Sequence, residues 1–310
     1  HRRRHSFPTR RSSDLRSDLV RAARIQSDRL GQTEAAIETW LSVRKHFGDE
    51  PETLDELDRL MTATQRWKEL ADLLSGSAGA GRDRAARMLT RLGDICRQHL
   101  GDPDRAADYY AKALGVDAAN ADGLAGLRAL LHVPSCAALA GEALAQAFRV
   151  TGDWEAGLAI LDERLAAAPT AFDKARLLAE AAKLYEHRAA ELIKARAALG
   201  RALPYSPDDL SLEHDLLRLT EQTDEWAETA AALREAAEGG EVEVGAGRAA
   251  WLLVQAGKIL EERLGDPVAA TDAYAAATKL DPKRVDSQEA VARCAARAGR
   301  WPQAAEAALQ

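Results

Sequence analysis

Aromatic residues are scarce in this chain, at 5% of 310 positions, and there are only 3 cysteines. Cys96, Cys136 and Cys294 lie far apart and are odd in number. That argues against a disulfide framework and leaves small buried thiols. No apolar run approaches the roughly 18–20 residues that a membrane span needs. No stretch alternates apolar and polar side chains for long enough to make a sheet strand. Catalytic frames are missing as well: there is no Gly-x-Ser-x-Gly elbow, and Glu186-His187 does not extend to a zinc-binding His-Glu-x-x-His. What is present is 46% hydrophobic and 29% charged residues, enough apolar material for an ordinary core.

The first residues are set aside before charge is weighed. His5 to Leu15 reads like the conceptual translation of a short-read sequencing adapter, so residues 1–16 are taken as an artefactual or disordered leader. The alternative is a natural basic arm. Residues 1–15 carry five arginines against one aspartate, so removing them moves the net charge from −7 to −11. An acidic body argues against nucleic-acid binding, which needs a basic footprint to release counterions. The chain opens on His1 and stops at Gln310 inside a helical pattern, so a fragment of a longer reading frame is expected. A cytoplasmic location is favoured, with a secretion signal upstream left open.

The strongest signal is internal repetition. Four segments anchored on Trp40, Tyr110, Leu199 and Tyr274 share landmarks at fixed distances. Alanine stands four residues earlier (Ala36, Ala106, Ala195, Ala270) and a branched aliphatic fifteen earlier (Ile25, Ile95, Leu184, Ile259). A small residue stands seventeen earlier (Ala23, Gly93, Ala182, Gly257), and leucine twenty-one earlier (Leu19, Leu89, Leu178, Leu253). Trp67, Trp226 and Trp301 each follow an anchor by 27 residues, whereas Trp154 follows Tyr110 by 44. The second unit therefore holds 17 extra residues, enough for one helix and its turn within Ala119–Ser135.

Apolar residues recur at helical spacing, as in Leu253, Gly257, Leu260 and Leu264, which predicts amphipathic helices. Asp-Pro pairs at 102–103, 266–267 and 281–282 suit turns and helix starts. Gly-rich stretches at Ser75–Gly81 and Gly239–Gly247 separate paired repeats.

The pattern Ala270-x₃-Tyr274 with Pro282, Ala195-x₃-Leu199 with Pro207, and Ala106-x₃-Tyr110 resembles the tetratricopeptide family, whose 34-residue helix–turn–helix unit has Ala-x₃-aromatic and a later Pro. Its Trp-Leu-Gly opening is mostly absent. The resemblance implies an all-α fold without sheet: a right-handed solenoid of antiparallel helix pairs over residues 17–310. About eight degenerate repeats would fall in units near 17–75, 84–170, 173–238 and 248–310.

Three motifs imitate chemistry. Gly245-Ala246-Gly247-Arg248-Ala249-Ala250 has the spacing of a dinucleotide fingerprint without its βαβ setting, so a linker is expected over a small nucleotide-using enzyme. Gly76 to Gly81 lacks the Lys and Ser/Thr of a phosphate loop. Cys96, His99 and Asp102 supply too few ligands for a closed zinc site. No catalytic residue, metal or cofactor is expected.

In families of this type the first helix of each repeat lines a concave groove. Carrying that register over gives the row Arg24, Arg59, Asp94, Gln146, Lys183, Arg218, Lys258 and Arg293. Its six cations, Arg24, Arg59, Lys183, Arg218, Lys258 and Arg293, suit an acidic peptide or chain-terminal carboxylate. The competing reading is a solvated or self-paired row, with Asp55 on Arg59 and Glu289 on Arg293 at four-residue helical spacing. The expected function is a protein–protein interaction scaffold and not an enzyme, with a helical arm of a larger protein as the alternative.

Overall fold

The computed structural model describes residues 10–77 and 81–309, and among them the regular elements are all helical. The chain divides into two compact units, one ending at Gly152 and the other beginning at Asp153. That border falls inside the 84–170 span expected as one pair of repeats.

The first unit contains α1 (Arg10–Asp28), α2 (Thr33–Phe47), α3 (Pro51–Ala63), α4 (Trp67–Ser75), α5 (Arg82–Ile95), α6 (Pro103–Val116), α7 (Ala121–Leu130) and α8 (Ala137–Thr151). The second contains α9 (Trp154–Ala159), α10 (Leu161–Ala167), α11 (Ala171–Leu184), α12 (Leu192–Ala202), α13 (Leu210–Thr223), α14 (Trp226–Glu238), α15 (Ala246–Lys258), α16 (Pro267–Leu280), α17 (Val285–Arg297) and α18 (Trp301–Leu309). Successive helices fold back as hairpins: α1/α2, α3/α4 and α5/α6 in the first unit, then α11/α12, α13/α14, α15/α16 and α17/α18 in the second.

Residues 1–9 of the expected leader lie outside the described residues. Within the rest of that span, α1 begins at Arg10. Arg16, the last residue of that span, pairs with Glu50 and with Glu52, ahead of and on α3.

The four anchors are where each hairpin closes. Trp40 and Tyr110 are fully buried, Tyr274 is 2% exposed and Leu199 5%. Burying a side chain of this size contributes about 1.5–3 kcal/mol. Small residues seventeen positions earlier let the second helix approach the first. A Cβ added at Gly93 would stand 2.5 Å from the Tyr110 ring, and one at Gly257 2.7 Å from the Tyr274 ring. Each tyrosine hydroxyl donates to a carboxylate of the preceding helix, Tyr110 to Asp94 at 2.7 Å and Tyr274 to Glu261 at 3.3 Å.

The turn between the paired helices is also repeated. The first helix widens into a π turn at Cys96–Leu100, Tyr185–Ala189 and Ile259–Arg263. In all four anchored hairpins the carbonyl fourteen residues before the anchor accepts from the amide eight before it. The pairs are Gln26–Gln32 (2.8 Å), Cys96–Asp102 (3.0 Å), Tyr185–Glu191 (2.9 Å) and Leu260–Asp266 (2.9 Å). The residue between, nine before the anchor, is left-handed: Gly31, Gly101, Ala190 and Gly265. The next helix then starts on a cap. Asp102 accepts from the amide of Arg105, and Asp266 from those of Val268 and Ala269, with Pro103 and Pro267 in the first turn. Such caps contribute about 1 kcal/mol each. The third Asp-Pro pair, 281–282, lies in the turn after α16.

The 17 extra residues are explained by α7. Asn120 caps it by accepting from the Gly123 amide at 2.7 Å, and Gly126 brings it onto the Tyr110 ring, where an added Cβ would stand 2.5 Å away. Tyr110 is thus held from two sides, by Gly93 of α5 and Gly126 of α7.

Candidate partner-binding face

The six expected cations sit on first helices: Arg24 on α1 and Arg59 on α3 in the first unit, then Lys183, Arg218, Lys258 and Arg293 on α11, α13, α15 and α17 in the second. The four arginines are engaged within the chain. Arg24 meets Glu52 at 2.6 Å, and Arg59 meets Glu56 at 2.8 Å and Asp28 at 3.4 Å. Arg218 forks onto Glu186 at 2.8 and 3.0 Å, and Arg293 onto Glu261 at 2.9 Å twice. Lys183 and Lys258 are exposed, and among the described residues neither forms an ion pair.

The expected pairing partners are corrected. Asp55 bonds to Arg84, and Arg59 turns to Glu56 and Asp28. Arg293 turns away from Glu289 to Glu261, 32 residues back on the neighbouring hairpin. Parallel forked geometry and a half-shielded position make a cross-hairpin pair stronger than an exposed pair along one helix. Hydrogen bonding to Arg293 holds the Glu261 carboxyl down at about 2. Bonding to Arg218 lowers Glu186 in the same way. Of the two remaining members of the row, Asp94 accepts from Tyr110, and Gln146 accepts from Arg149 at 2.8 Å.

A cavity that the residue pattern did not reveal opens beside this row in the second unit. It holds about 500 Å³ and is lined by Leu210, Glu213, His214 and Leu217 of α13, Gly247, Arg248 and Trp251 of α15, and Arg284. Trp251 is 39% exposed and lies seven residues, two helical turns, before Lys258, so both project from one face of α15. Its indole Nε1 donates to Glu213 at 3.1 Å, while Arg284 stands 5.6 Å over its ring. Glu213 is buried, with Arg248 at 2.7 Å, and Arg248 Nε donates to the Pro207 carbonyl at 2.7 Å. The signal in the sequence was Glu213 itself: thirteen residues before Trp226 it takes the place that Leu54 takes before Trp67.

The remaining shifted groups have structural causes. Burial pushes the Cys294 thiol up to about 11 and the Tyr110 hydroxyl to about 12. Cys96 is likewise raised by burial, His99 lies flat on Trp67 with ring centres 3.6 Å apart, and Asp102 is spent on its cap. Gly245 caps α15, and Arg248, Ala249 and Ala250 continue inside that helix. The glycine-spaced segment from Gly76 to Gly81 lies partly outside the described residues. Among the described residues no helix is long and apolar enough to cross a membrane.

Residues 86–120, most of the α5/α6 hairpin, match the tetratricopeptide repeat. No curated protein matches the chain. Similar solved structures include a tetratricopeptide repeat protein from Parabacteroides merdae, at 14% identity, covering 90% of this chain and 98% of that one with a TM-score of 0.31. Another is the TPR2AB domain of yeast Sti1 in complex with pHSP90, at 15% identity, 86% and 99% coverage and a TM-score of 0.31. A third is YrrB, a repeat protein of the same kind with an unusual peptide-binding site, at 14% identity, 69% and 98% coverage and a TM-score of 0.27. At such TM-scores the architecture of this chain rests on its own helices.

Proposed function

Taking the chain as a tetratricopeptide-repeat protein, we propose that it is a protein–protein interaction scaffold, without catalysis of its own, that holds a partner peptide on the first-helix face of its second unit. The observation that carries this reading is the cavity at Trp251, which places an exposed aromatic anchor in line with an unpaired Lys258. Exposed tryptophans with adjacent cations are the kind of residue on which binding energy concentrates. An apolar side chain of the partner enters between Leu210, Leu217 and Trp251, and acidic neighbours meet Lys258 and Lys183. Arg218 and Arg293 share this register in the second unit, and Arg24 and Arg59 hold it in the first; the charges of all four are already met by carboxylates of the chain, so they are weaker binding candidates.

The test is selection from a displayed random peptide library on the full chain. Enrichment of peptides with an apolar anchor next to acidic residues is expected. Trp251→Ala should remove it, and Lys183→Glu with Lys258→Glu should shift it away from acidic sequences. Charge reversal at Arg218 or Arg293 is a poorer probe, because it strips Glu186 or Glu261 of its partner. Enrichment unaffected by Trp251→Ala would sink the proposal.

A further inference from the structure

A second cavity in this unit lies on the second helices of the hairpins. Helices α12 and α14, with the bend at Gly239–Glu241, enclose about 580 Å³. Arg196 forms part of the wall although it is only 6% exposed. Its Nε is fully buried and meets no acceptor. Among the described residues the guanidinium as a whole has no hydrogen bond and no ion pair.

The repeat shows how unusual this is. Arg196 stands three residues before the anchor Leu199, and the same place in the other anchored hairpins holds Ile37, Ala107 and Thr271, each 0% exposed. Three hairpins fill the position with an uncharged side chain, and one fills it with a permanent cation. Glu228 of the same wall feels the charge of Arg196 without bonding to it, so the guanidinium is buried with its donors unmet, a costly arrangement unless an acceptor is brought to it.

The remaining wall narrows the choice of anion. Pro204, Tyr205, Ala231 and Ala232 give it an apolar side. Glu228 and Glu235, both exposed, add carboxylates, and Glu241 is a third, already paired with Lys174 at 2.5 Å. A phosphate dianion would meet Arg196 only by approaching all three. A molecule with a carboxylate at one end and an ammonium at the other satisfies both signs, and a planar carboxylate suits the guanidinium fork. We propose that this cavity binds a small zwitterionic carboxylate of the amino-acid class, its carboxylate on Arg196, its ammonium toward Glu228 and Glu235, and its side chain against Tyr205 and Ala232.

The experiment is thermal shift and calorimetry on the full chain with four probes: L-leucine, glycine, sodium acetate and inorganic phosphate, each up to about 10 mM. L-leucine should raise the melting temperature most, acetate less, and phosphate not at all. Arg196→Met keeps the volume and removes the charge. It should melt at or above the parent's temperature and lose the response to L-leucine. Glu228→Gln with Glu235→Gln changes only exposed groups, so it keeps the fold. It should weaken L-leucine about tenfold while holding acetate at least as tightly as the parent does. No response of the parent to any carboxylate, an equal response from Arg196→Met, or a larger response to phosphate than to L-leucine would each overturn the proposal. Should Arg196→Met not fold, an equal loss of L-leucine and acetate in the Glu228/Glu235 variant would overturn it as well.

Discussion

In hairpin α15/α16 the anchor is Tyr274, and in α11/α12 it is Leu199. Tyr274 lies over Gly257, where even one added carbon would stand 2.7 Å from its ring, and its hydroxyl needs an acceptor, which Glu261 supplies at 3.3 Å. Glu261 in turn is buried and draws Arg293 and Arg297, at 2.9 and 3.1 Å. Leu199 makes no such demands: alanine suffices beneath it at Ala182, and Glu186, at the place of Glu261, pairs with Arg218 without touching the anchor. One phenolic hydroxyl thus turns a plain apolar contact into a four-residue polar network, because a buried donor has to be satisfied. The smaller anchor releases that requirement, and the same hairpin is the one that carries Arg196, whose buried Nε meets no acceptor.

The largest effect expected from this contrast is steric. Gly257→Ala should cost about 3 kcal/mol, since the Tyr274 ring is enclosed and cannot retreat. Ala182→Gly in the leucine hairpin should cost only about 0.5–1 kcal/mol, the backbone entropy of glycine in a helix. Equilibrium urea unfolding of both variants measures the difference, and equal costs would erase the distinction between the two anchors.

Next comes pH. Glu261 is held at about 2 against an ordinary 4.5, first by its bonds to Arg293. Its folded value is depressed, so its contribution is fully present above pH 4.5 and is lost as pH falls toward 2. The magnitude is about 2 kcal/mol, discounted because Arg293 is half-exposed and screened by solvent. Glu261→Gln should therefore be destabilised at pH 6 and converge on the parent near pH 2. Parallel stability curves for the two proteins across that window would contradict the assignment.

The smallest effect concerns the turn. Ala190 is left-handed, at φ +54°, where the other three anchored hairpins place glycine. An L side chain there costs roughly 1–2 kcal/mol, partly offset by the extra freedom glycine brings to the unfolded chain. Ala190→Gly should stabilise by about 1 kcal/mol, and Gly265→Ala should destabilise by a similar amount. A melting temperature lowered by Ala190→Gly would show that the α11/α12 turn is held differently from its counterpart.

The helix pairs were legible because each depends on residues close in sequence. The alanine four before the anchor, the small residue seventeen before it and the Asp-Pro starts all act within one hairpin. The extra helix was legible too, as a surplus between Tyr110 and Trp154 that α7 fills. Ionic partners were not. Arg293 has carboxylates at helical spacing on its own helix, and only packing reveals that Glu261 of the previous hairpin is closer and better shielded. The Trp251 cavity and Arg196 were hidden for a related reason: burial of a charged residue is set by neighbouring helices, and no local pattern records it. Within the repeat, however, both leave a trace, as Glu213 where Leu54 stands and Arg196 where Ile37 stands.

The π turns that end α5, α11 and α15 bear on how such a chain can change length. A bond spanning five residues holds one residue more per turn than the ordinary helical bond. A deletion in that turn could close it to an ordinary one, and a repeat could gain or lose a single residue there while the face presented upstream by Lys183 or Lys258 kept its direction. Elsewhere in the same helices, one residue added or removed would swing every later side chain by about 100°. The wide turns are thus joints at which the length of a repeat and the aim of its outward row are uncoupled, so variation in one need not disturb the other.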